Sequence, residues 1–418
     1  MTKPNWIKIQ SLPPLSPVKI ALPLSKSLSN RILILSHFCR ISENELPLLS
    51  DSRDTQLLQK ALYSNSESMD FMDAGTPSRL ALAYFTATGR LVTITGNQSL
   101  KKRSIRPLVD ALILGGAEIE YLENEGFFPV RIAKKMTHFP EITIDRSESS
   151  QFVTALLLVS VLFSGDKHLY LQGTEHSNEY ISMTLQVLQE WGIESSWKDD
   201  VLTVFGGCLT CPHPITVEAD WSAASYFYAL QAIQPEQSLF LDGLTSSSKQ
   251  GDRALSSIFQ QFGVESRFET QGVQLQFVHI KKQNLITLDL ADVPDVVPSI
   301  VVAAVGRNQE LLLKGIQNLK YKESNRIDVM NENLQGFGWQ LVAQNDHDYL
   351  LKQTHIPQEK INIKTHADHR MAMAFSLLAS KQPLFIDDIE CVEKSFPLFW
   401  KALQSCNFEF NLSENEPK

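Results

Sequence analysis

The sequence predicts an α/β protein of two lobes, each built from three copies of one α/β unit around buried apolar helices. Three observations carry that expectation. Long apolar helix-like runs recur at a regular spacing. Short β-like runs ending in glycine follow most of them. Amphipathic helix patterns with a terminal glycine of their own come next.

The apolar runs open on polar residues. They are SKSLSNRILILSHF from Ser25, GTPSRLALAYFTATG from Gly75, SSQFVTALLLVSVLFSG from Ser149, DWSAASYFYALQAI from Asp220, DVVPSIVVAAVGRN from Asp295 and DHRMAMAFSLLASKQ from Asp368. Equivalent points fall at residues 76, 149, 222, 295 and 368, so the period is about 73, and only the first interval is shorter, about 51. Helices with so little polar face belong inside a lobe. The runs LVTITG, HLYLQG, SLFLDG and ELLLKG read as strands. RPLVDALILGG, SMTLQVLQEWG, SSIFQQFG and DVMNENLQGFG read as outer helices, and glycine suits their C′ positions because it accepts positive φ. Alternating strand pairs such as VESRFETQGVQLQFV complete each unit.

Composition excludes several classes. The chain has 418 residues, 43% apolar and 20% charged, which is globular usage and excludes disorder, collagen and coiled coil. Lys and Arg number 38 against 47 Asp and Glu, a net charge of −9 that argues against a nucleic-acid-binding surface. Five cysteines are no disulfide framework. Cys208 and Cys211 lack a full set of zinc-ligand partners, and neither G-x-G-x-x-G after a strand nor a P-loop occurs, so neither metal nor nucleotide cofactor is expected. The N-terminal MTKPNWIKIQSLPPL has no apolar core, and the longest apolar stretch, Phe152 to Phe163, is too short for a bilayer that needs ~20 residues. A cytoplasmic monomer without membrane or nucleic-acid partners is expected.

The helix openings carry the chemistry. A helix N-terminus presents unpaired N–H groups and the positive end of a dipole. Here such openings also hold cations and hydroxyls: Lys26, Ser27 and Arg31; Arg79; Ser149, Ser150 and Gln151; His369 and Arg370. Lys101, Lys102 and Arg103, then Lys322 to Arg326, add two basic clusters, and Lys394 lies near the end. Convergent cations of this kind fit small phosphate- and carboxylate-bearing substrates.

The stretches LPLSKSLSNR, DAGTPSR, KKRSIRPLVDAL, SSQFVTALL, SNEY, PDVVPS, KESNR, DHRMAMAFSLLA and EKSFPLFW resemble the enolpyruvyl transferases, specifically the enolpyruvylshikimate-phosphate synthase family. The resemblance runs from about residue 17 to residue 405. It implies an inside-out α/β barrel fold, with residues 22–220 as the first lobe, 1–21 and 221–418 as the second, and the active site in the cleft between them. The implied reaction transfers the enolpyruvyl group of phosphoenolpyruvate to the 5-hydroxyl of shikimate 3-phosphate, without cofactor or metal.

Residue by residue, the resemblance implies a shikimate 3-phosphate site of Lys26, Ser27, Arg31, Ser149, Ser150, Gln151, Ser177, Tyr180, Asp295, Asn318 and Lys322. It implies a phosphoenolpyruvate site of Lys26, Gly75, Arg103, Gln151, Arg326, Arg370 and Lys394. Asp295 and Glu323 are the candidates for proton transfer, and Lys26 for assisting phosphate departure. Four positions depart from the family pattern: Leu24 for Gly, Asp73 for Asn, Ser104 for Pro and Trp221 for a small residue. Leu24 and Asp73 keep open a non-catalytic binding protein of the same fold. A transferase acting on a UDP-N-acetyl sugar is the other alternative; its usual loop cysteine has no counterpart between Cys39 and Cys208.

Overall fold

Apolar helices set the plan of the fold. The computed structural model describes residues 6–14, 17–147, 149–173 and 177–413, which divide into two units: Leu24–Val217, and Met1–Pro23 together with Glu218–Lys418.

In the continuous unit, 24–217, six helices alternate between two roles. They are α1 (Lys26–Phe38), α2 (Arg53–Tyr63), α3 (Gly75–Thr88), α4 (Arg106–Leu114), α5 (Ser150–Ser160) and α6 (Asn178–Glu190). Eleven of the 14 residues of α3 and ten of the 11 of α5 are buried, as their missing polar face predicts. The helices α1, α3 and α5 touch one another, and α2, α4 and α6 each bridge two of them. The bridging helices bury single stripes, such as Leu108, Val109, Ala111 and Leu112 of α4. Two four-stranded sheets flank these helices. In one, Ser68–Asp70 runs parallel to Thr93–Thr95 across α3, and Val130–Lys134 and Glu118–Tyr121 follow antiparallel. Ile142–Asp145, Lys167–Gln172, Val201–Val204 and Ser195–Lys198 repeat the pattern across α5.

The discontinuous unit repeats the plan three times. Its helices are α7 (Trp221–Ile233), α8 (Leu255–Ile258), α9 (Val297–Arg307), α10 (Arg326–Gly336), α11 (His369–Ser376) and α12 (Phe399–Ser405). Twelve of the 13 residues of α7 and all eight of α11 are buried. Each sheet again has one parallel pair and two antiparallel ones. Two strands come from the stretch of chain that precedes the continuous unit. Val18–Ala21 pairs in parallel with Leu239–Asp242, and Trp6–Ser11 lies between Leu384–Ile386 and Phe408–Ser413.

In five of the apolar helices a buried hydroxyl is answered locally. One buried serine in each of α3, α5, α7, α9 and α11 donates to the carbonyl three residues back: Ser78 to Gly75, Ser160 to Leu157, Ser225 to Ser222, Ser299 to Val296 and Ser376 to Met373. An unpartnered hydroxyl there would cost about 1–3 kcal/mol. The predicted terminal glycines Gly116, Gly192, Gly263 and Gly338 take φ of 90°, 80°, 81° and 77°.

Two elements differ from expectation. The repeat that opens at Ser25 contributes α1 and α2 but no ladder strand between them among the described residues. Its interval is about 22 residues shorter than the period, too short to add a sheet. The segment SSIFQQFG forms the single turn α8 and then 3-10 turns, Phe259–Phe262, rather than one helix. Among the described residues no helix is long and apolar enough to cross a membrane.

Candidate active site

In the discontinuous unit the site grows from three helix openings. Asp295 sits in a 3-10 turn, Pro294–Val296, ahead of α9. Arg326 is the first residue of α10, behind an Asn325 cap that accepts from Asp328 N at 3.4 Å. Asp368 caps α11 by accepting from Arg370 N at 3.0 Å. Just before it, His366 and Ala367 take φ of 51° and 57°. Two consecutive left-handed non-glycine residues cost about 1–3 kcal/mol each and persist only where the surroundings hold them.

These openings bring the predicted residues into one network. Arg326 is 1% exposed at its side chain and bonds Asp295 Oδ1 at 3.1 Å, Glu323 Oε2 at 2.6 Å and Asp368 Oδ2 at 2.9 Å. Arg370 donates to the Asp295 carbonyl at 2.8 Å and to its Oδ2 at 2.9 Å. Lys322 Nζ lies 3.7 Å from Asp295 Oδ1, and Lys394 Nζ lies 3.8 Å from Glu323 Oε1. Asn318 is buried in the 3-10 turn that leads to Lys322. Four cations thus meet three carboxylates, an excess of one positive charge.

The charges tune one another. Burial pushes the Asp295 carboxyl upward, but Arg370, Lys322 and Arg326 outweigh it and hold the group well below the usual carboxylate range. Burial pulls Lys322 down against the opposing attraction of Asp295. Burial works against Arg326 as well, yet Asp368, Glu323 and Asp295 raise it, so it stays a cation.

In the continuous unit the openings of α1, α3, α5 and α6 carry the remaining candidates. Ser25 caps α1, accepting from Leu28 N at 3.4 Å. The next residue, Lys26, reaches Asp54 Oδ2 at 3.1 Å, in the first turn of α2. Arg31 is buried. Its Nε donates to Thr184 Oγ1 at 2.9 Å, its NH1 to Ser27 O at 2.7 Å, and its NH2 to Tyr180 O at 2.8 Å and Thr154 Oγ1 at 3.3 Å. Four of five guanidinium hydrogens are engaged by neutral acceptors, and one on NH1 has no partner among the described residues. Burial lowers Arg31 to about 10, which leaves it charged at neutral pH. The same side chain therefore ties α1 to α5 and α6 and brings Ser27 and Tyr180 together.

Ser149 caps α5 by accepting from Gln151 N at 3.2 Å, and Ser150 is buried beside it. Arg79 of α3 donates to Gln151 Oε1 at 2.5 Å and to Ser104 O at 2.9 Å, and its guanidinium lies 4.9 Å from the centroid of the Phe152 ring. Ser177 occupies the N-cap position of α6 with φ of 58° and makes no side-chain capping bond there. Gly75 opens α3 beneath Arg103: a Cβ there would fall 2.6 Å from the Arg103 Cζ. The bare backbone is what lets that guanidinium approach.

The structure answers three of the departures. Leu24 is not among the residues with positive φ, so a side chain is tolerated there. Asp73 pairs with Arg53 at 3.0 Å. Trp221 is fully buried, its ring centroid 6.4 Å from that of Tyr228 and 6.3 Å from that of Phe268. Sequence reasoning left Asp54, Arg53 and Asp368 out of the site, and Arg79 appeared only as one cation among several. Asp368 alone carried a local signal, an Asp directly before an apolar helix.

The solved structures it resembles define the class. The chain superposes on an EPSP synthase from Acinetobacter baumannii with a TM-score of 0.74, at 20% identity over 98% of this chain and all of that one. An enolpyruvyl transferase, NikO, from Streptomyces tendae gives a TM-score of 0.68 at 11% identity, covering 98% and 99%. The fold is that of the enolpyruvyl transferases. Sequence narrows it further. The model of the EPSP synthase (3-phosphoshikimate 1-carboxyvinyltransferase) family matches residues 58–403. A 3-phosphoshikimate 1-carboxyvinyltransferase from Bacteroides fragilis is 37% identical over 401 residues, 94% of this chain and 96% of the relative. One from Haemophilus influenzae is 32% identical over 429 residues, covering 94% and 98%. The chain belongs to the EPSP synthase family.

Proposed function

We infer that this protein transfers the enolpyruvyl group of phosphoenolpyruvate to the 5-hydroxyl of shikimate 3-phosphate and releases phosphate, a step of the shikimate pathway towards aromatic amino acids. Family membership supports the reaction. The observation that carries it is the Asp295 carboxylate clasped by Arg326, Arg370 and Lys322, with Glu323 held between Arg326 and Lys394. Such a cluster offers cations for phosphate and carboxylate groups, and carboxylates for moving protons.

The reaction needs both. The 5-hydroxyl oxygen bonds to C2 of phosphoenolpyruvate, its proton leaves, and C3 gains a proton. In the tetrahedral intermediate C3 then loses a proton, the C2–O bond to phosphate breaks, and the double bond re-forms. Asp295 takes the hydroxyl proton and Glu323 serves C3. Arg370, Lys322 and Arg326 keep Asp295 ionised in the free protein, so it is already in the accepting form. A substrate anion that draws these cations away raises its basicity as the substrate arrives. Lys26 offsets charge on the departing phosphate. Ser27, Arg31, Ser149, Ser150, Gln151, Ser177, Tyr180, Asn318 and Lys322 hold shikimate 3-phosphate. Gly75, Arg103, Gln151, Arg326, Arg370 and Lys394 line the phosphoenolpyruvate site. Fixed guanidinium and ammonium groups supply the electrostatic stabilisation.

The protein acts as a cytoplasmic monomer on small anions, and its net charge of −9 supports the absence of a nucleic-acid partner. The absence of positive φ at Leu24 and the pairing of the Asp73 carboxylate weigh against the non-catalytic alternative. The test is phosphate release, expected only with shikimate 3-phosphate and phosphoenolpyruvate together. Equal release with a UDP-N-acetyl sugar as acceptor would overturn the reading.

A further inference from the structure

The first turn of α2 meets two charges of opposite sign. Asp54 takes the Lys26 ammonium, and Arg53, one residue earlier, takes the Asp73 carboxylate, NH2 to Oδ1 at 3.0 Å. Asp73 is a hinge between two guanidinium groups. Its carboxylate faces Arg53, while its main-chain carbonyl accepts from Arg103 NH1 at 3.4 Å. Its side chain is 13% exposed and that of Arg53 26%, so water screens this pair only partly. Two residues on, Gly75 lets Arg103 lie against the backbone. Among the described residues no carboxylate pairs with Arg103, and its Nε has no partner.

We propose that Arg53 is a positioning residue for phosphoenolpyruvate: by neutralising Asp73 it keeps the Arg103 guanidinium open to the substrate. This rests on the reaction assigned above. The competition is intramolecular. A turn about the Asp73 side-chain torsions carries its carboxylate from Arg53 towards Arg103, a guanidinium already hydrogen-bonded to the same residue. An aspartate so tethered is a permanent rival for an incoming carboxylate or phosphate. Arg53 occupies that rival. Asp54, the neighbouring charge, is already engaged by Lys26 and cannot stand in for it, having the wrong sign.

The test is a double-mutant cycle on the full chain. Arg53→Ala is expected to raise the KM for phosphoenolpyruvate about ten-fold, the effect of one nearby unscreened charge. The kcat and the KM for shikimate 3-phosphate stay within about two-fold. Arg53→Lys retains part of the affinity. Asp73→Asn alone does not raise the KM, and Asp73→Asn in the Arg53→Ala background restores it. A merely structural Arg53 would show no such rescue. Equilibrium dialysis of phosphoenolpyruvate against each variant separates this idea from the assigned reaction. A wild-type protein that binds phosphoenolpyruvate but releases no phosphate overturns the reaction and leaves the cycle readable by binding. Unchanged affinity in Arg53→Ala, or a loss that Asp73→Asn fails to reverse, overturns the role of Arg53. A wild type that binds no phosphoenolpyruvate overturns both.

Discussion

Asp295 and Arg103 pose opposite problems. Asp295 is surrounded by three cations, whereas Arg103 lies on bare glycine backbone. Their substitutions should therefore separate in kinetics. Asp295→Ala and Glu323→Ala are expected to lower kcat by ~10²–10⁴-fold, the usual worth of a positioned proton carrier, with smaller changes in KM. Arg103→Ala should chiefly raise the KM for phosphoenolpyruvate. Steady-state rates with each substrate varied decide this; turnover near wild type in both carboxylate variants rejects the assignment. The openings that hold these residues were readable because a helix start has a local signature, a capping side chain beside cations. The partners of those cations were not. Arg53 and Asp73 stand 20 residues apart, and Lys26 and Asp54 stand 28 apart, on different elements. No periodicity links them, so only the folded chain shows that Asp73 is neutralised.

Periodicity made the helices legible. Six apolar runs, five of them at a shared spacing, became α1, α3, α5, α7, α9 and α11, and positive φ appeared at the four predicted terminal glycines. Reading failed where tertiary contacts outweighed pattern. SSIFQQFG has helical spacing, but it buries Phe259 and Phe262 in a tight 3-10 turn. A 3-10 turn aligns residues three apart and so suits a segment with apolar side chains at such steps. The inner helices should be intolerant of lost volume. Leu157 of α5 is fully buried. Leu157→Ala should destabilise the protein by about 2–5 kcal/mol, transfer and cavity terms together. Urea unfolding followed by tryptophan fluorescence measures it. A cost below about 1 kcal/mol would show that the interior collapses around the gap.

Across the whole molecule, one buried acid outside the assigned chemistry sets a dependence on pH. Asp252 accepts a hydrogen bond from Ser222 and is buried. Burial first, then Asp295 and Asp220, lift it to about 7, against the opposing pull of the Ser222 hydroxyl and Arg370. Between about pH 4 and 7 the folded chain keeps a proton that the unfolded chain, with an aspartate near 3.9, has released. Raising the pH through that window therefore favours unfolding. Asp295 acts the other way and in another range: its depressed value contributes stability that is lost only as the pH falls below about 4. Asp252→Asn should flatten the decline of thermal stability from pH 4.5 to 7.5. A melting series with the same slope in variant and wild type would refute this.

The placement of strand Trp6–Ser11 bears on how the chain is made. Its ladder neighbours, Leu384–Ile386 and Phe408–Ser413, leave the ribosome more than 370 residues later. At ~5–20 residues per second that is a delay of tens of seconds. Through this interval the early strand exposes both hydrogen-bonding edges, a form open to pairing with other nascent chains. Residues 24–217 have no such wait, because every strand of their two sheets lies within the segment. Expressed alone, 24–217 should give a cooperatively melting domain with protected amides, checked by hydrogen exchange; a molten product would refute that. Synthesis then passes through a stage at which one domain is finished while the first strand of the other is still without partners, and that stage is where a chaperone would find its substrate.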